Sequence, residues 1–335
     1  MTEELLVTAR SNELIDPGLH IWTWEVAMYL FMGGLTAGVM IFAALAIARG
    51  KEELAPFTAT RLALFAPILL SIGMTTLFLD LEHKLYVYRF YTAFTLTSPM
   101  SWGAWILIVV YPISLLQILS TIRAGYPALA SLVDRAAIGR TLVDWCERYR
   151  MQIALSVIPF AVALGVYTGI LLSAFGARPF WNSGVLGILF LVSGMSTAAA
   201  MVVLVAKRHA EKDLFTRIDL VLILAEIGLV ALMLISLASG SGQHINALQS
   251  VMGGAYTLEF WLFFVTIGLL IPLLLEILEI AGVSKSLAML APVLVLVGGY
   301  ALRQVVMDAG QESTWTHYET QYSSELLERL HEENP

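Results

Sequence analysis

WTWEVAMYLFMGGLTAGVMIFAALAIA, Trp22 to Ala48, runs for twenty-seven residues with a single charged side chain, Glu25. About 20 helical residues cross a hydrocarbon core of roughly 30 Å, so this stretch is long enough to span a bilayer as a helix. Successive helical residues turn by about 100°, which puts Glu25 and Tyr29 one turn apart on one face. Gly34 and Gly38 fall on roughly the opposite face, and a GxxxG pair of this kind lets a neighbouring backbone approach closely. A carboxyl group in so apolar a helix is costly unless it faces protein or trapped water, so the Glu25 and Tyr29 face is a functional candidate.

Outward from this stretch the same pattern recurs. The 335 residues are 58% hydrophobic and 13% charged, with a mean hydropathy of +0.78, whereas a soluble domain carries about 25% charged residues. Apolar runs at 22–48, 60–80, 101–122, 152–174, 184–206, 217–239, 256–277 and 285–307 are separated by short polar joints. They predict an all-α integral membrane protein of eight transmembrane helices, arranged as two four-helix bundles. Residues 1–20 form an outer N-terminal segment. The first bundle takes 21–122 and 152–175, an amphipathic inner joint takes 123–151, the second bundle takes 184–307, and an acidic outer tail takes 308–335. The first run is preceded by some twenty mostly polar residues and followed by Arg49 and Lys51, without a small-residue cleavage pattern. It is expected to be retained rather than removed as a signal peptide.

Lysine and arginine set the orientation. Thirteen of the nineteen lie in alternate joints, including Arg49, Lys51 and Arg61, the five arginines of 123–150, Lys207, Arg208, Lys212 and Arg217, and Lys285. Both termini are therefore expected outside, in the periplasm if the chain sits in a bacterial inner membrane. The net charge of −7 gathers in the ends and joints, and no nucleic-acid partner is expected. Cys146 is the one cysteine, which cannot hold an iron–sulfur cluster that takes four such ligands. All six histidines lie at span ends, joints or tails, so no mid-membrane pair is placed to clamp a haem, and no metal site is expected. Any redox work needs electrons from outside the chain.

The fifth run carries LVSGMSTAAAM, Leu191 to Met201, which aligns with FMGGLTAGVM at an offset of 160: Gly194 matches Gly34 and Ala198 matches Gly38. This is the mark of a faint parallel repeat of spans 1–4 in spans 5–8. The second copy has Leu189 in place of Tyr29, so the polar face belongs to the first half.

Further polar groups sit in the spans and at their ends. Asp80 and His83, three apart, can share a helix face and pass protons at the outer edge, or form an interfacial pair with Lys84 beside an aromatic belt of Tyr86, Tyr88, Phe90, Tyr91 and Phe94. Tyr167 lies within the fourth run, either as a site residue or as a core tyrosine with a satisfied hydroxyl. Arg178, just beyond that run, is a site candidate or an interface anchor. Glu226 lies well inside the sixth span. Glu259, Glu276 and Glu279 mark the seventh, and with Glu226 they form a candidate proton path.

The runs YLFMGGLTAG (29–38), LDLEHK (79–84) with SPMSWGAW (98–105), YTGILLS (167–173) with RPFWNS (178–183), and LRQVVMDAGQ (302–311) resemble the NrfD and polysulfide-reductase membrane-subunit family. The resemblance covers nearly all of the chain in order, from about Trp22 to Gln311. It implies a quinone-handling anchor of a respiratory oxidoreductase with an exchangeable menaquinone or ubiquinone and no cofactor resident in the chain. It implies a quinone pocket at the outer end of the first bundle, facing a ferredoxin-like iron–sulfur subunit, and a catalytic subunit beyond it, of molybdopterin or other redox type. Carried onto this sequence, the site positions are Glu25, Tyr29, Asp80, His83 and Tyr167, with Arg178 beside them as a further cofactor-binding candidate. Some members place an amide and an imidazole on the first span where this chain has Val26 and Tyr29.

The chemistry this implies is modest. A ring carbonyl needs a hydrogen-bond donor such as Tyr29, Tyr167 or His83, and the protons need a titratable acceptor such as Glu25 or Asp80. Two other readings stand beside it: a proton-conducting or secondary-transport module built on Glu226, Glu276 and Glu279, and a passive anchor without quinone chemistry.

Overall fold

The computed structural model describes residues 21–283 and 289–314. The expected outer N-terminal segment, Lys285 in the last joint and the acidic tail from residue 315 onward lie outside the described residues. Among the described residues the regular structure is helical throughout, and eight helices are long and apolar enough to cross a membrane. They are α1 (Trp24–Ala48), α2 (Leu62–Asp80), α3 (Pro99–Leu119), α4 (Arg150–Ser173), α5 (Leu186–Val205), α6 (His209–Ala238), α7 (Glu259–Ile280) and α8 (Leu290–Glu312). The protein is an all-α, multi-pass membrane protein.

Local chemistry sets the ends of these helices. Pro99 opens α3 after an extended Ser98, where a missing N–H costs nothing. Gly50, at φ +61°, turns the chain after α1. Two boundaries differ from the hydropathy reading. The helix α6 begins at His209 rather than 217, because the charged turns His209–Arg217 remain helical beyond the apolar part. Likewise α8 continues through Asp308 to Glu312, so 308–312 belong to a helix and not to a tail. Between α6 and α7 lies an eleven-residue helix, Gly242–Met252, capped by Ser241 and His244. The first half of α7, Glu259–Leu270, is wound as a π-helix, with Thr266 Oγ1 donating to the carbonyl of Trp261 at 2.8 Å.

The centre of the molecule is α1, which is buried along nearly its whole length. It packs on α2, α4, α5 and α8, and α5 packs on α1, α4, α6 and α8. The two helices meet through their small residues. A Cβ on Gly38 would stand 2.5 Å from the Gly194 carbonyl oxygen and 2.6 Å from Ala198 Cβ, and one on Gly194 would overlap the Gly34 backbone. Gly268 of α7 and Gly298 of α8 make a second backbone contact of this kind. By contrast α2 and α3 meet mainly at Leu62–Leu64 and at Ser71, whose hydroxyl lies 3.1 Å from that of Tyr111, and few contacts join them along Phe65–Asp80, which leaves a gap in the wall of the first four helices.

At the end of the molecule where α1 finishes, the segment after α3 folds into the short helices Ile122–Gly125, Pro127–Val133 and Ala137–Arg148. Arg123 gathers three of their acids, Asp134 at 2.9 Å, Asp144 at 2.7 Å and Glu147 at 2.8 Å. The guanidinium holds the Asp134 carboxyl below its ordinary range.

Candidate functional site

The site is built at the opposite end, where α1 begins. Trp22 there is held by a two-way backbone clasp: its N–H donates to Gln311 Oε1 at 2.9 Å, and Gln311 Nε2 donates to its carbonyl at 2.8 Å. Its indole stacks on Trp181 at 5.6 Å and meets Phe175 edge-on at 5.4 Å. Trp181 in turn donates Nε1 to the Val306 carbonyl at 2.7 Å, in a space that exists because residue 310 is glycine. Arg178, buried, donates Nη1 to the carbonyls of Gln311 and Ser313 at 2.9 and 3.0 Å. The motifs around Arg178 and Gln311 thus fasten the end of α8 to the start of α1. Arg178 does not line the cavity described next.

Behind Trp22 lies a cavity of about 210 Å³ enclosed by the first four spanning helices. From α1 come Val26, Tyr29 and Leu30; from α2 come Met74, Leu77, Phe78 and Asp80; from α3 come Met100, Gly103, Ala104 and Leu107; from α4 come Tyr167, Leu171 and Leu172. The loop after α2 closes it with Leu81, Val87, Phe90 and Tyr91. Tyr29 and Tyr167 are buried and lie within electrostatic reach of each other. Neither hydroxyl has a hydrogen-bond partner among the described residues. Gly103 is what admits Tyr167, since a Cβ there would overlap the phenol. Phe78 and Met100 line the cavity and are also exposed on the outer wall, so the cavity opens through the gap between α2 and α3. Burial and the nearby Tyr111 push the Tyr91 phenol up, keeping it a neutral donor.

Asp80 is the last residue of α2, a position where the helix dipole disfavours a negative charge. It lies within reach of the Glu25 carboxyl group, and it makes no hydrogen bond to any described residue. Glu25, half-buried at the start of α1, accepts a hydrogen bond from Thr23 Oγ1 and stands beside the cavity without lining it. The expected helix face shared by Asp80 and His83 does not form. The helix stops at Asp80 and Leu81 is extended, so His83 precedes a separate 3₁₀ turn, Lys84–Tyr86. His83 is exposed and borders a neighbouring hollow with Tyr86, Arg89 and Ser101. The Asp80–Lys84 pair also does not form among the described residues.

A second polar assembly lies in the last four spanning helices. Arg303 of α8, fully buried, donates Nη1 to Ser193 Oγ at 2.6 Å and to the Gly299 carbonyl at 2.8 Å. Its Nη2 donates to the Phe190 carbonyl at 2.9 Å. Glu226, 2% exposed, faces Ser193 and Arg303. Two turns earlier on the same face of α6, Asp219 accepts a hydrogen bond from Ser196 Oγ at 2.6 Å and turns toward Glu276 of α7. Asp219 Oδ2, Glu276 Oε2 and Thr216 Oγ1 are buried without a hydrogen-bond partner among the described residues. Glu279 follows Glu276 toward Asp213 and Lys212. Glu259 stands apart, exposed at the far end of α7 beside Tyr256. Asp219 and Arg303 are the members of this assembly that sequence reasoning misses. The signal for Asp219 is its spacing of seven from Glu226, which repeats a helix face; that for Arg303 is a lone cation in an apolar run.

With this geometry in hand, comparison with known proteins is specific. The family model for polysulphide reductase, NrfD, matches residues 10–313. The chain belongs to this family. A polysulfide reductase polypeptide of Wolinella succinogenes is 29% identical over 306 residues, covering 87% of this chain and 94% of the relative. Protein NrfD of Escherichia coli is 27% identical over 305 residues, covering 87% and 95%. A tetrathionate reductase subunit of Salmonella typhimurium is 26% identical over 251 residues, covering 73% and 66%.

Proposed function

We propose that this chain is the quinone-reactive membrane subunit of a respiratory reductase complex. In this reading it exchanges electrons between menaquinone or ubiquinone and an iron–sulfur subunit docked at the Trp22 end, with a catalytic subunit beyond. Membership of the NrfD family and relatives named as reductase subunits support the assignment to a complex. The observation that carries the chemistry is the meeting of two unpartnered phenols, Tyr29 and Tyr167, with the Asp80 carboxylate in one apolar cavity that opens on the outer wall. The residues fit such a carrier: flat apolar walls for a ring, hydroxyl donors for its carbonyl oxygens, and a mouth between α2 and α3 through which an isoprenoid tail reaches the hydrocarbon.

When bound, a quinone or quinol supplies two-electron, two-proton redox chemistry. Tyr29 and Tyr167 donate hydrogen bonds to the ring oxygens and fix their orientation. Asp80 holds the transferred proton at a carboxylate oxygen, and Glu25 passes it toward the exposed end, where His83 is a further acceptor. Trp22, packed over the cavity, excludes water. The two halves of the chain act as two four-helix bundles, a reading supported by matched neighbour patterns: α1 packs on α2 and α4 as α5 packs on α6 and α8. The lysine and arginine distribution supports an orientation with both termini outside, which is the periplasm for a chain in a bacterial inner membrane.

The test is quinol-dependent turnover by the purified complex. Tyr29→Phe, Tyr167→Phe and Asp80→Asn are expected to lower it with assembly intact. Normal turnover by all three variants sinks the reading in favour of a passive anchor. A second reading is favoured by the row Arg303, Glu226, Asp219, Glu276 and Glu279, which runs from mid-span to the basic end and supports proton conduction through the second half. In proteoliposomes, Asp219→Asn should abolish an internal pH change that accompanies turnover, while quinol oxidation in detergent continues. An unchanged pH signal removes the row from any proton route.

A further inference from the structure

We propose that the chain binds the phosphate head group of an anionic phospholipid in the cavity where its basic joints meet. This cavity, of about 760 Å³, lies at the opposite end from the quinone-type site and is lined by three separate joints. The joint between α1 and α2 contributes Pro56, Phe57 and Arg61, that after α3 contributes Tyr126 and Leu129, and that between α5 and α6 contributes Lys207 and Arg208.

The charge of this cavity is uncompensated. Arg61 commits Nε to the Gly125 carbonyl at 3.0 Å, and Arg208 commits Nη1 to the Glu53 carbonyl at 2.6 Å. Both acceptors are neutral, so each guanidinium keeps its full charge and further N–H donors. Lys207 has no partner among the described residues. The one carboxylate in the lining, Glu211, is 1% exposed and already taken: it accepts from the N–H groups of Phe57 and Thr58 at 3.2 and 2.8 Å and from Thr58 Oγ1 at 2.8 Å. Three exposed cations therefore face one cavity against a single, fully engaged acid. Such an arrangement between spanning helices at the basic end attracts phosphate.

The rest of the lining selects a lipid over a free anion. Phe57 and Phe65 form apolar walls, and Leu129 and Val205 are 42% and 40% exposed among the described residues. A phosphate bound by Lys207 and Arg208 places the acyl chains of its lipid against these four side chains, where burial of apolar area adds to the charge attraction. Arg61 is fixed for the task, because Tyr126 donates its hydroxyl to the Arg61 carbonyl at 3.1 Å.

The experiment uses the full chain in its purified complex, stripped of lipid in detergent and titrated with tetraoleoyl cardiolipin, dioleoyl phosphatidylglycerol, dioleoyl phosphatidylcholine or inorganic phosphate. Retained lipid is read by native mass spectrometry and heat stability in parallel. Cardiolipin and phosphatidylglycerol should be retained and stabilise; phosphatidylcholine should do neither. The double variant Lys207→Gln with Arg208→Gln should bind the anionic lipids roughly tenfold more weakly or worse, while the charge-keeping pair Lys207→Arg with Arg208→Lys binds them as before. Lys207→Gln alone, which breaks no contact, serves if the double variant fails to fold, and should also weaken binding. Equal retention of phosphatidylcholine, stabilisation by inorganic phosphate alone, or undiminished binding by the glutamine variants would each overturn the proposal.

Discussion

Replacing Arg303 by methionine removes a charge that the second half of the protein is built around. The side chain is fully buried, with three hydrogen bonds at 2.6–2.9 Å to Ser193, Gly299 and Phe190 and its guanidinium carbon 5.0 Å from the centre of the Phe190 ring. Methionine keeps most of the stem and its packing. What is lost is the cation that faces Glu226, together with a partner for Ser193 Oγ and the ring contact. The two carbonyls retain their helical bonds, so their share of the loss is small. Arg303 and Glu226 face each other without a direct ion pair among the described residues, so the loss is counted from the charged hydrogen bond to Ser193, about 1.5–3 kcal/mol, and from the ring contact, about 2 kcal/mol or less. We expect Arg303→Met to destabilise the protein by about 2–4 kcal/mol, read as unfolding in mixed micelles by tryptophan fluorescence. Adding Glu226→Gln removes the stranded acid, so the double variant should be more stable than Arg303→Met alone, with a coupling of about 1–3 kcal/mol. If Arg303→Met lies within about 0.5 kcal/mol of the parent, or the second change adds its full cost to the first, the two groups are not interdependent and the reasoning fails.

Three further outcomes follow from other parts of the molecule. If Asp80 accepts the proton, Asp80→Asn should slow quinol oxidation by about 10²–10⁴-fold, measured as the turnover number in the purified complex; Asp80→Glu should retain part of it. Gly38→Ala forces a methyl against the Gly194 carbonyl and Ala198 and should cost about 1–3 kcal/mol of stability, whereas Gly228→Ala, which meets nothing within 4 Å, should be neutral or better in the same melt. Because Arg123 holds Asp134 below its ordinary range, their contact contributes in full above the unfolded carboxylate value and is lost as pH falls through the depressed folded one. Hydrogen-exchange protection of Ala137–Arg148 should therefore drop only in strong acid, and Arg123→Gln should abolish that dependence.

The eight helices were legible because hydropathy and length alone make a membrane span, and the packing face of α1 because glycines spaced by four mark a close backbone approach; that the partner is α5 is set by the tertiary fold. Tyr29, Asp80 and Tyr167 were legible as polar groups in apolar runs, which a bilayer does not tolerate idly. Other features depend on what a single helix period does not carry. Asp80 and His83 have the right spacing for a shared face, but a helix has to continue for spacing to matter, and this one stops between them. Arg178 stands out in the sequence for its charge, yet its position is set by carbonyls at the end of α8, more than a hundred residues away. Asp219 sits near a charged joint, where an acid is ordinary; only the longer course of α6 and the approach of Glu276 place it inside.

The contact between Gly34 and Gly194 bears on why the two halves differ. Residues matched in the repeat alignment meet each other there, as they would on an axis relating two copies. Around that shared contact the interiors diverge. In the first half Gly103 gives its space to a phenol, α2 and α3 stay apart, and a cavity remains that opens on the wall. In the second half Arg303 fills the interior, Leu189 replaces the phenol, and carboxyl groups reach from α6 and α7. An apolar cavity is suited to a ligand that arrives through the hydrocarbon, and a row of buried carboxyls is suited to protons, which need no space. One packing solution thus supports two interiors, and exchanging them is constrained from both sides: opening the second would expose a buried arginine, and filling the first would close the α2–α3 gap.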